Sequence, residues 1–195
     1  MRLSQNYRST IHLSGRGLRM MRQTALSEYI RSRHDFPRQG SVFRDITPLL
    51  LNSKGFREAV TQMASGFRNI SIDAVAAAEP RGFIFAAPLA LELDVGFLPV
   101  RKPTRVQFST QAFDYALTDF HEDTLLAYRD NINPSQRILF VDDLLATGAS
   151  VDSCCRLIEH AGGIVVGCAF LIELTSFGGA ERLKRYDTRS LIEYP

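Results

Sequence analysis

Short, unbroken apolar runs alternate along the chain with longer segments in which apolar residues recur at helical spacing. The runs have the length of strands buried on both faces, and the segments between them have the pattern of amphipathic helices. This β-α-β alternation predicts an α/β fold with a central, mostly parallel sheet flanked by helices. The pattern predicts strands at 72–78, 95–100, 138–141, 164–173 and 190–194, and helices at 24–33, 53–69, 84–93 and 151–160.

Two parts of the chain lack this periodicity. Residues 1–24 are rich in arginine and serine, which predicts a poorly ordered basic N-terminal extension followed by a single domain over 25–195. A transit peptide, a nucleic-acid-binding arm or a start assigned upstream of Met20 or Met21 would have the same composition. Residues 102–125 form a second long stretch with few landmarks, and such a stretch in a compact enzyme is often a lid.

Composition narrows the class of protein without identifying a partner. A length of 195 residues with 45% hydrophobic and 23% charged residues is typical of one globular domain. A net charge of +2 gives little information about binding partners. No apolar run approaches the ~20 residues of a membrane span, and neither a membrane nor a nucleic acid is an expected partner. Cys154, Cys155 and Cys168 lack metal-ligand spacing and fit reduced core thiols in a cytoplasmic protein.

The stretch 138–150 carries the clearest chemistry. Two adjacent acids, Asp142 and Asp143, follow the predicted strand at the edge where open α/β sheets bind ligands. A turn of small residues then leads into a helix, where backbone N–H groups and the hydroxyls of Thr147 and Ser150 form a candidate anion site. An acid pair beside a phosphate cradle predicts a ligand with neighbouring hydroxyls and a phosphate, such as a 5-phosphoribosyl group.

This stretch closely resembles the 5-phosphoribosyl diphosphate (PRPP) signature of the type I phosphoribosyltransferases, in the form typical of their adenine-specific members. The family usually has Gly-Thr where this chain has Ala149-Ser150. The resemblance implies the family's fold, with a small hood from the N-terminal segment and a long flexible lid loop. It also implies Mg²⁺ bound through PRPP, with Asp142 and Asp143 as possible ligands. The phosphoribosyl-binding residues it implies are Asp142, Asp143, Ala146, Thr147, Gly148, Ala149 and Ser150.

A second block, 36–50, resembles the family's adenine-site segment, Phe-Pro-x-Pro-Gly-x-x-Phe-Arg-Asp-Ile-Thr-Pro-Leu-Leu. Gln39 stands in place of the second proline. This Pro- and Gly-punctuated segment is predicted to be a loop. The resemblance implies that it recognises the base largely through main-chain groups. The adenine-binding residues implied are Ser41, Val42, Phe43, Arg44 and, packing on the base, Leu144.

Two further blocks resemble the family's pyrophosphate-binding segments. Arg81, in Glu-Pro-Arg-Gly-Phe, stands where the family has an arginine that contacts pyrophosphate, and guanidinium offers bidentate bonds to phosphate oxygens. Pro80 departs from the family pattern and leaves a cis or a trans peptide bond open. Arg101 and Lys102 begin a loop in which Arg105 takes the position of the usual lysine, without the usual Leu-Pro.

The lid is where the chain departs furthest from the family, whose Glu-Tyr-Gly triplet is missing. Alignment from Asp130 and Pro134 places Asp119 where the glutamate that handles a purine proton would be. His121 and Glu122 are the alternatives for that catalytic role, and a solvated loop face is the structural alternative. Because aspartate is one methylene shorter than glutamate, its oxygens fall short by about 1.5 Å unless the loop compensates.

The resemblance implies a cytoplasmic, homodimeric enzyme that joins adenine to PRPP, giving AMP and pyrophosphate with Mg²⁺. Two alternatives stay open. One is a phosphoribosyltransferase for hypoxanthine, guanine or xanthine, which the altered lid permits. The other is a PRPP-binding regulatory protein with reduced or no catalysis, which the missing Glu-Tyr-Gly supports.

Overall fold

The structure, a computed structural model, describes residues 26–36, 38–101 and 131–195. The chain forms two compact units, divided between Leu51 and Asn52.

The first unit contains an antiparallel strand pair and a short helix. Strands β1 (Arg31–His34) and β2 (Val42–Asp45) pair from Arg31↔Asp45 to His34↔Val42, and helix α1 (Thr47–Leu51) follows. The helix expected over 24–33 is wrong from residue 28 onward, because residues 28 and 29 form a turn and residues 31–33 lie in β1. Residues 42–45, expected in a loop, form β2. In both places cross-strand hydrogen bonds outweigh the local sequence preference.

The second unit is an α/β layer structure built on one five-stranded sheet. Its strands are all parallel and lie in the order β4-β3-β5-β6-β7, which confirms the predicted fold class. The strands are β3 (Ala74–Ala78), β4 (Gly96–Val100), β5 (Arg137–Leu145), β6 (Ile164–Leu174) and β7 (Thr188–Tyr194). The helices are α2 (Ser53–Phe67), α3 (Gly82–Leu93), α4 (Ala149–His160) and α5 (Gly179–Arg182), with a 3₁₀ turn at Thr175–Phe177.

The sheet core explains why the apolar runs form strands. Ile138, Leu139, Phe140 and Val141 of β5 are fully buried, as expected for a central strand of a parallel sheet. Helix α4 packs its apolar face into one core cluster that includes Phe140 and its neighbours. Buried apolar area of this kind is the main term that stabilises the unit.

The three cysteines belong to this core. Cys154, Cys155 and Cys168 are buried free thiols, and the Sγ atoms of Cys155 and Cys168 lie 3.8 Å apart. Burial raises the pKa of the Cys154 thiol, and the nearby Cys168 raises that of Cys155. Both groups therefore stay protonated and act as small apolar side chains. Among the described residues, no helix combines the length and apolarity needed to cross a membrane.

Candidate active site

Within the described residues, the carboxyl end of β5 is open on the side of β3. Strand β3 pairs with β5 from Ala74↔Ile138 to Ala76↔Phe140, whereas β6 stays paired with β5 as far as Leu145↔Glu173. Asp142 and Asp143 lie in the last part of β5, beyond its pairing with β3. This edge, outside the carboxyl ends of parallel strands, is where open α/β sheets bind ligands.

The start of α3 lies against Asp142 at this open edge. A Cβ atom added to Gly82 would lie 3.2 Å from Asp142 Oδ1 and 3.1 Å from the carbonyl oxygen of Val141. Glycine therefore lets the loop after β3 approach β5 closely. The Glu79–Pro80 peptide bond in that loop is cis, which answers the question that the sequence left open.

Arg81 pairs with the second acid of the signature. Its Nε lies 3.3 Å from Asp143 Oδ2, and the Asp143 side chain is 5% exposed whereas that of Arg81 is 52% exposed. The backbone N–H of Asp143 donates to Asp142 Oδ1 at 2.9 Å. The fold thus brings together three side chains that the sequence placed in two separate blocks, and it leaves much of the guanidinium accessible.

Burial has the largest effect on the pKa of both carboxyl groups. Burial, and then the negative charge of Asp143, raise the pKa of Asp142 to about 8. Burial also raises the pKa of Asp143, while the positive charge of Arg81 opposes that rise. The pair therefore binds a proton in the neutral range, and a ligand that hydrogen-bonds or neutralises the carboxylates would displace it.

This titration leads to an expected pH dependence of stability. Because the pKa of Asp142 is about 8 in the folded chain and 3.8 ordinarily, the folded state holds a proton that the unfolded state releases between those values. The contribution of Asp142 to the free energy of unfolding should therefore fall as pH rises from about 4 to about 8. Asp142→Asn removes this loss, and we expect its Tm to exceed the parent's at pH 9 by roughly 5 °C.

The measurement is thermal unfolding of both chains between pH 5 and pH 9. The difference in Tm between them should be small at pH 5 and should grow with pH. Equal pH dependence in the two chains would contradict the raised pKa of Asp142.

The turn after the acids is shaped by Gly148. This residue has a φ of 73° and is the N-cap of α4, whose first intrahelical bond runs from the Asp152 N–H to the Gly148 carbonyl oxygen at 2.9 Å. Thr147 Oγ1 accepts a long hydrogen bond of 3.5 Å from the Ala149 N–H. Thr147 and Ser150 are both exposed. The first backbone N–H groups of α4 have no acceptor within the helix, so this turn can bind a phosphate.

A glycine pair that the sequence analysis did not single out supports this turn. At Gly179, the first residue of α5, an added Cβ would collide with the carbonyl oxygen of Ala146 and lie 2.7 Å from Leu145 Cδ1. An added Cβ at Gly148 would lie 3.5 Å from Cδ of Arg182 in α5. The Gly178-Gly179 dipeptide was visible as a turn signal, but only the fold shows which turn it packs against.

The adenine-site segment is organised by its own hydrogen bonds. Ser41 Oγ donates to the carbonyl oxygens of Phe36 and Arg38, at 2.7 and 2.5 Å, and accepts from the Arg38 N–H. The rings of Phe36 and Phe43 meet edge to face with centroids 5.5 Å apart. The Ser41 hydroxyl is therefore used in hydrogen bonds within this segment.

The strand pair orients the charged residues of this segment. Arg44 Nη1 donates to Ser32 Oγ, its partner across the strands, at 2.5 Å. Asp45 accepts from the Thr47 N–H at 3.0 Å and lies 3.6 Å from Arg33. The hydrogen bonds from Thr47, and the charge of Arg33, lower the pKa of Asp45. Asp45 thus stabilises the start of α1.

The structure describes some of the remaining candidate residues but not all of them. Leu144 is partly buried in β5, and Arg101 directly follows β4. In the described parts of the chain, no group of three or more His, Cys, Asp or Glu side chains could hold a metal ion. The loop cations Lys102 and Arg105, and the lid candidates Asp119, His121 and Glu122, lie outside the described residues.

The sequence matches one protein family and a set of relatives that share one name. Residues 50–192 match the model of the phosphoribosyl transferase domain family. The adenine phosphoribosyltransferase of Rhodopirellula baltica is 47% identical over 169 residues, which cover 87% of this chain and 82% of that protein. That of Clostridium perfringens is 45% identical over 170 residues, covering 87% of this chain and 98% of that protein.

Solved structures agree with the sequence matches. The adenine phosphoribosyltransferase of Thermoanaerobacter pseudethanolicus superposes with a TM-score of 0.80 and 40% identity, covering 88% of this chain and 99% of its own. The corresponding enzyme of Rhodothermus marinus gives a TM-score of 0.79 and 39% identity, covering 90% and 99%.

Proposed function

This chain belongs to the adenine phosphoribosyltransferases within the phosphoribosyl transferase domain family, and from that membership we propose its reaction and the roles of its residues. It transfers the 5-phosphoribosyl group of PRPP to adenine, giving AMP and pyrophosphate in purine salvage. The observation that carries the residue roles is the juxtaposition of Arg81 with Asp143, beside Asp142, at the open edge of the sheet.

The acid pair binds the ribose in this proposal. The displacement passes through an oxocarbenium-like centre at ribose C1, so the protein contributes orientation and electrostatic stabilisation. Asp142 and Asp143 accept hydrogen bonds from the ribose hydroxyls, and their negative charge stabilises the positive charge that develops on the sugar. Asp143 is buried and Asp142 is partly buried, and a low local dielectric strengthens both effects because it weakens screening.

The flanking segments bind the two phosphate groups. Residues 146–150 bind the 5′-phosphate through backbone N–H groups at the start of α4 and through the Thr147 and Ser150 hydroxyls. Arg81, whose side chain is 52% exposed, binds the departing pyrophosphate through its guanidinium. Arg101, Lys102 and Arg105 add positive charge to the same group.

Magnesium fits the site through its substrate rather than through a protein cage. Carboxylate oxygens suit this hard cation, but the described residues offer an acid pair and no cluster of three ligating groups. Asp142 and Asp143 would hold Mg²⁺ together with PRPP oxygens. When bound, the ion supplies charge neutralisation for the leaving pyrophosphate.

Recognition of the base and handling of its proton complete the proposal. Main-chain groups of Ser41 and Val42, the ring of Phe43, Arg44 and Leu144 bind adenine. Asp119, or in its place His121 or Glu122, manages the purine proton.

Asp119→Ala should then lower kcat far more than it weakens PRPP binding. An unchanged kcat would show that another residue handles the purine proton.

The cellular setting is also proposed. We place the chain in the cytoplasm because its three cysteines are buried free thiols. A homodimer is proposed from the family pattern. Sedimentation of the purified chain with and without PRPP measures the oligomeric state directly.

The deciding experiment compares four bases in one assay. We expect kcat/KM for adenine to exceed that for hypoxanthine, guanine and xanthine by at least about 10²-fold. A site built to bind a 6-amino group leaves its acceptors unpaired with these bases, which all carry an oxygen at that position. PRPP binding is measured in parallel by calorimetry. Preference for another base would favour the first alternative, and PRPP binding without turnover of any base would favour the regulatory protein.

A further inference from the structure

Three consecutive residues after the cis peptide bond contact three different parts of the sheet edge. Arg81 pairs with Asp143, and Gly82 lies against Asp142. Phe83, in the first turn of α3, lies beside Arg101, whose guanidinium carbon is 6.0 Å from the centre of its ring. The first two contacts concern the acids of the site, whereas the third concerns a cation that the sequence assigned to pyrophosphate.

The Phe83 ring packs against a second aromatic ring. Phe97 of β4 meets it edge to face, with centroids 5.3 Å apart and an interplanar angle of 82°. The backbone adds a second constraint, because the Glu79 N–H donates to the Val100 carbonyl oxygen at 3.0 Å and Ala78 pairs with Val100. The ring and the Cα of Arg101 are therefore fixed relative to each other.

An exposed arginine side chain has many rotamers, and ordering it costs conformational entropy each time a ligand binds. A ring 6.0 Å from the guanidinium carbon restricts those rotamers through a cation–π attraction. This attraction uses no hydrogen-bond acceptor, so the N–H donors of Arg101 stay available to phosphate oxygens. The contact thus orders Arg101 without occupying its hydrogen bonds.

We propose that Phe83, supported by Phe97, is a positioning residue that holds the guanidinium of Arg101 in place for the pyrophosphate group of PRPP. The inference rests on the proposed function, because it takes Arg101 as a pyrophosphate-binding residue. It assigns a role to an aromatic side chain that touches neither the substrate nor the reacting atoms.

The first test replaces the ring and keeps an apolar side chain. For Phe83→Leu we expect the KM for PRPP and the inhibition constant of pyrophosphate to rise about fivefold, which corresponds to about 1 kcal/mol. The kcat and the KM for adenine should stay within about twofold of the parent's. Phe83→Tyr keeps an aromatic face and should restore both constants to near the parent's values.

Phe56→Leu is the matched control, because it removes another edge-to-face contact, between Phe56 and Phe85, with centroids 5.6 Å apart. It should lower stability and leave the KM for PRPP unchanged. An equal rise in this KM for Phe56→Leu and Phe83→Leu would overturn the proposal, because the effect would then be general loosening of the fold.

A double-mutant cycle tests whether Phe83 acts through Arg101. In an Arg101→Gln background, Phe83→Leu should change the dissociation constant of PRPP by less than about twofold, and a full fivefold change there would overturn the proposal. Calorimetry with PRPP and Mg²⁺ measures binding without turnover. Coupling between Phe83 and Arg101 in a chain that makes no AMP would therefore contradict the proposed function and leave this inference intact. A parent chain that bound neither PRPP nor pyrophosphate would contradict both.

Discussion

The double variant Asp142→Asn, Asp143→Asn should form AMP at a rate about 10³-fold below that of the parent chain. Both carboxylates lie at the open edge of β5, and Asp143 is buried beside Arg81. Asparagine keeps the size of each side chain but removes the negative charge that we propose stabilises the oxocarbenium-like transition state. It also leaves the positive charge of Arg81 without its partner.

The loss of rate should not come from unfolding. Because burial raises the pKa of both carboxyl groups, their charges oppose folding near neutral pH, and the double variant should unfold at a temperature no lower than the parent's. AMP formation, circular dichroism and Tm at pH 8 measure these effects together.

Asp73→Asn is the control, because Asp73 lies beside the opposite end of β5. Asp73 accepts a hydrogen bond from the Arg137 N–H at 2.7 Å, at the amino end of β5. The same chemical change there should leave the rate of AMP formation within about twofold of the parent's. Near-normal AMP synthesis by the double variant would refute the assignment of the acid pair to the ribose.

Gly179→Ala should lower kcat/KM for PRPP by about 10²-fold, an effect expected from a displacement of about 1 Å in a binding loop. The backbone of Gly179 lies outside the left-handed region, so alanine introduces no backbone strain. Its Cβ, however, would collide with the carbonyl oxygen of Ala146 and lie 2.7 Å from Leu145 Cδ1. The phosphate-binding turn must shift to make room.

The neighbouring glycine provides a matched control. Gly178 has a φ of 70°, and an added Cβ there would meet nothing within 4 Å. Gly178→Ala should therefore cost about 1 kcal/mol of backbone strain and leave the KM for PRPP near the parent's value. Steady-state kinetics with PRPP varied, and Tm for both variants, compare the two. Equal kinetic effects at the two positions would exclude a specific contact with the turn.

Hydrophobic period correctly identified the strand at 138–141 and the helix at 53–69, where the structure has β5 and α2. The same period wrongly predicted a helix over 28–33, although Leu26 and Ile30 of the expected helix at 24–33 are buried. Residues 31–33 are exposed and lie in β1. Their strand conformation depends on pairing with β2, a contact that local periodicity does not encode.

The sequence by itself predicted the class of ligand and the order of the elements proposed to bind it. The run from Ile138 to Ser150 combines a buried strand, an acid pair and a small-residue turn, and these are local features of neighbouring residues. Their chemistry follows from residue type and spacing, so the phosphoribosyl cradle could be inferred without coordinates.

Only the tertiary structure decided which distant residues meet that run. Arg81 is far from Asp143 along the chain, as Gly179 is from Ala146 and Phe83 from Arg101, and each pair is brought together by the parallel sheet and the turns at its edge. Such contacts depend on strand order and on close packing, and close packing admits no added methyl group at Gly179. The physical reason is that residue type specifies chemistry locally, whereas distance between segments is set by how the whole core packs.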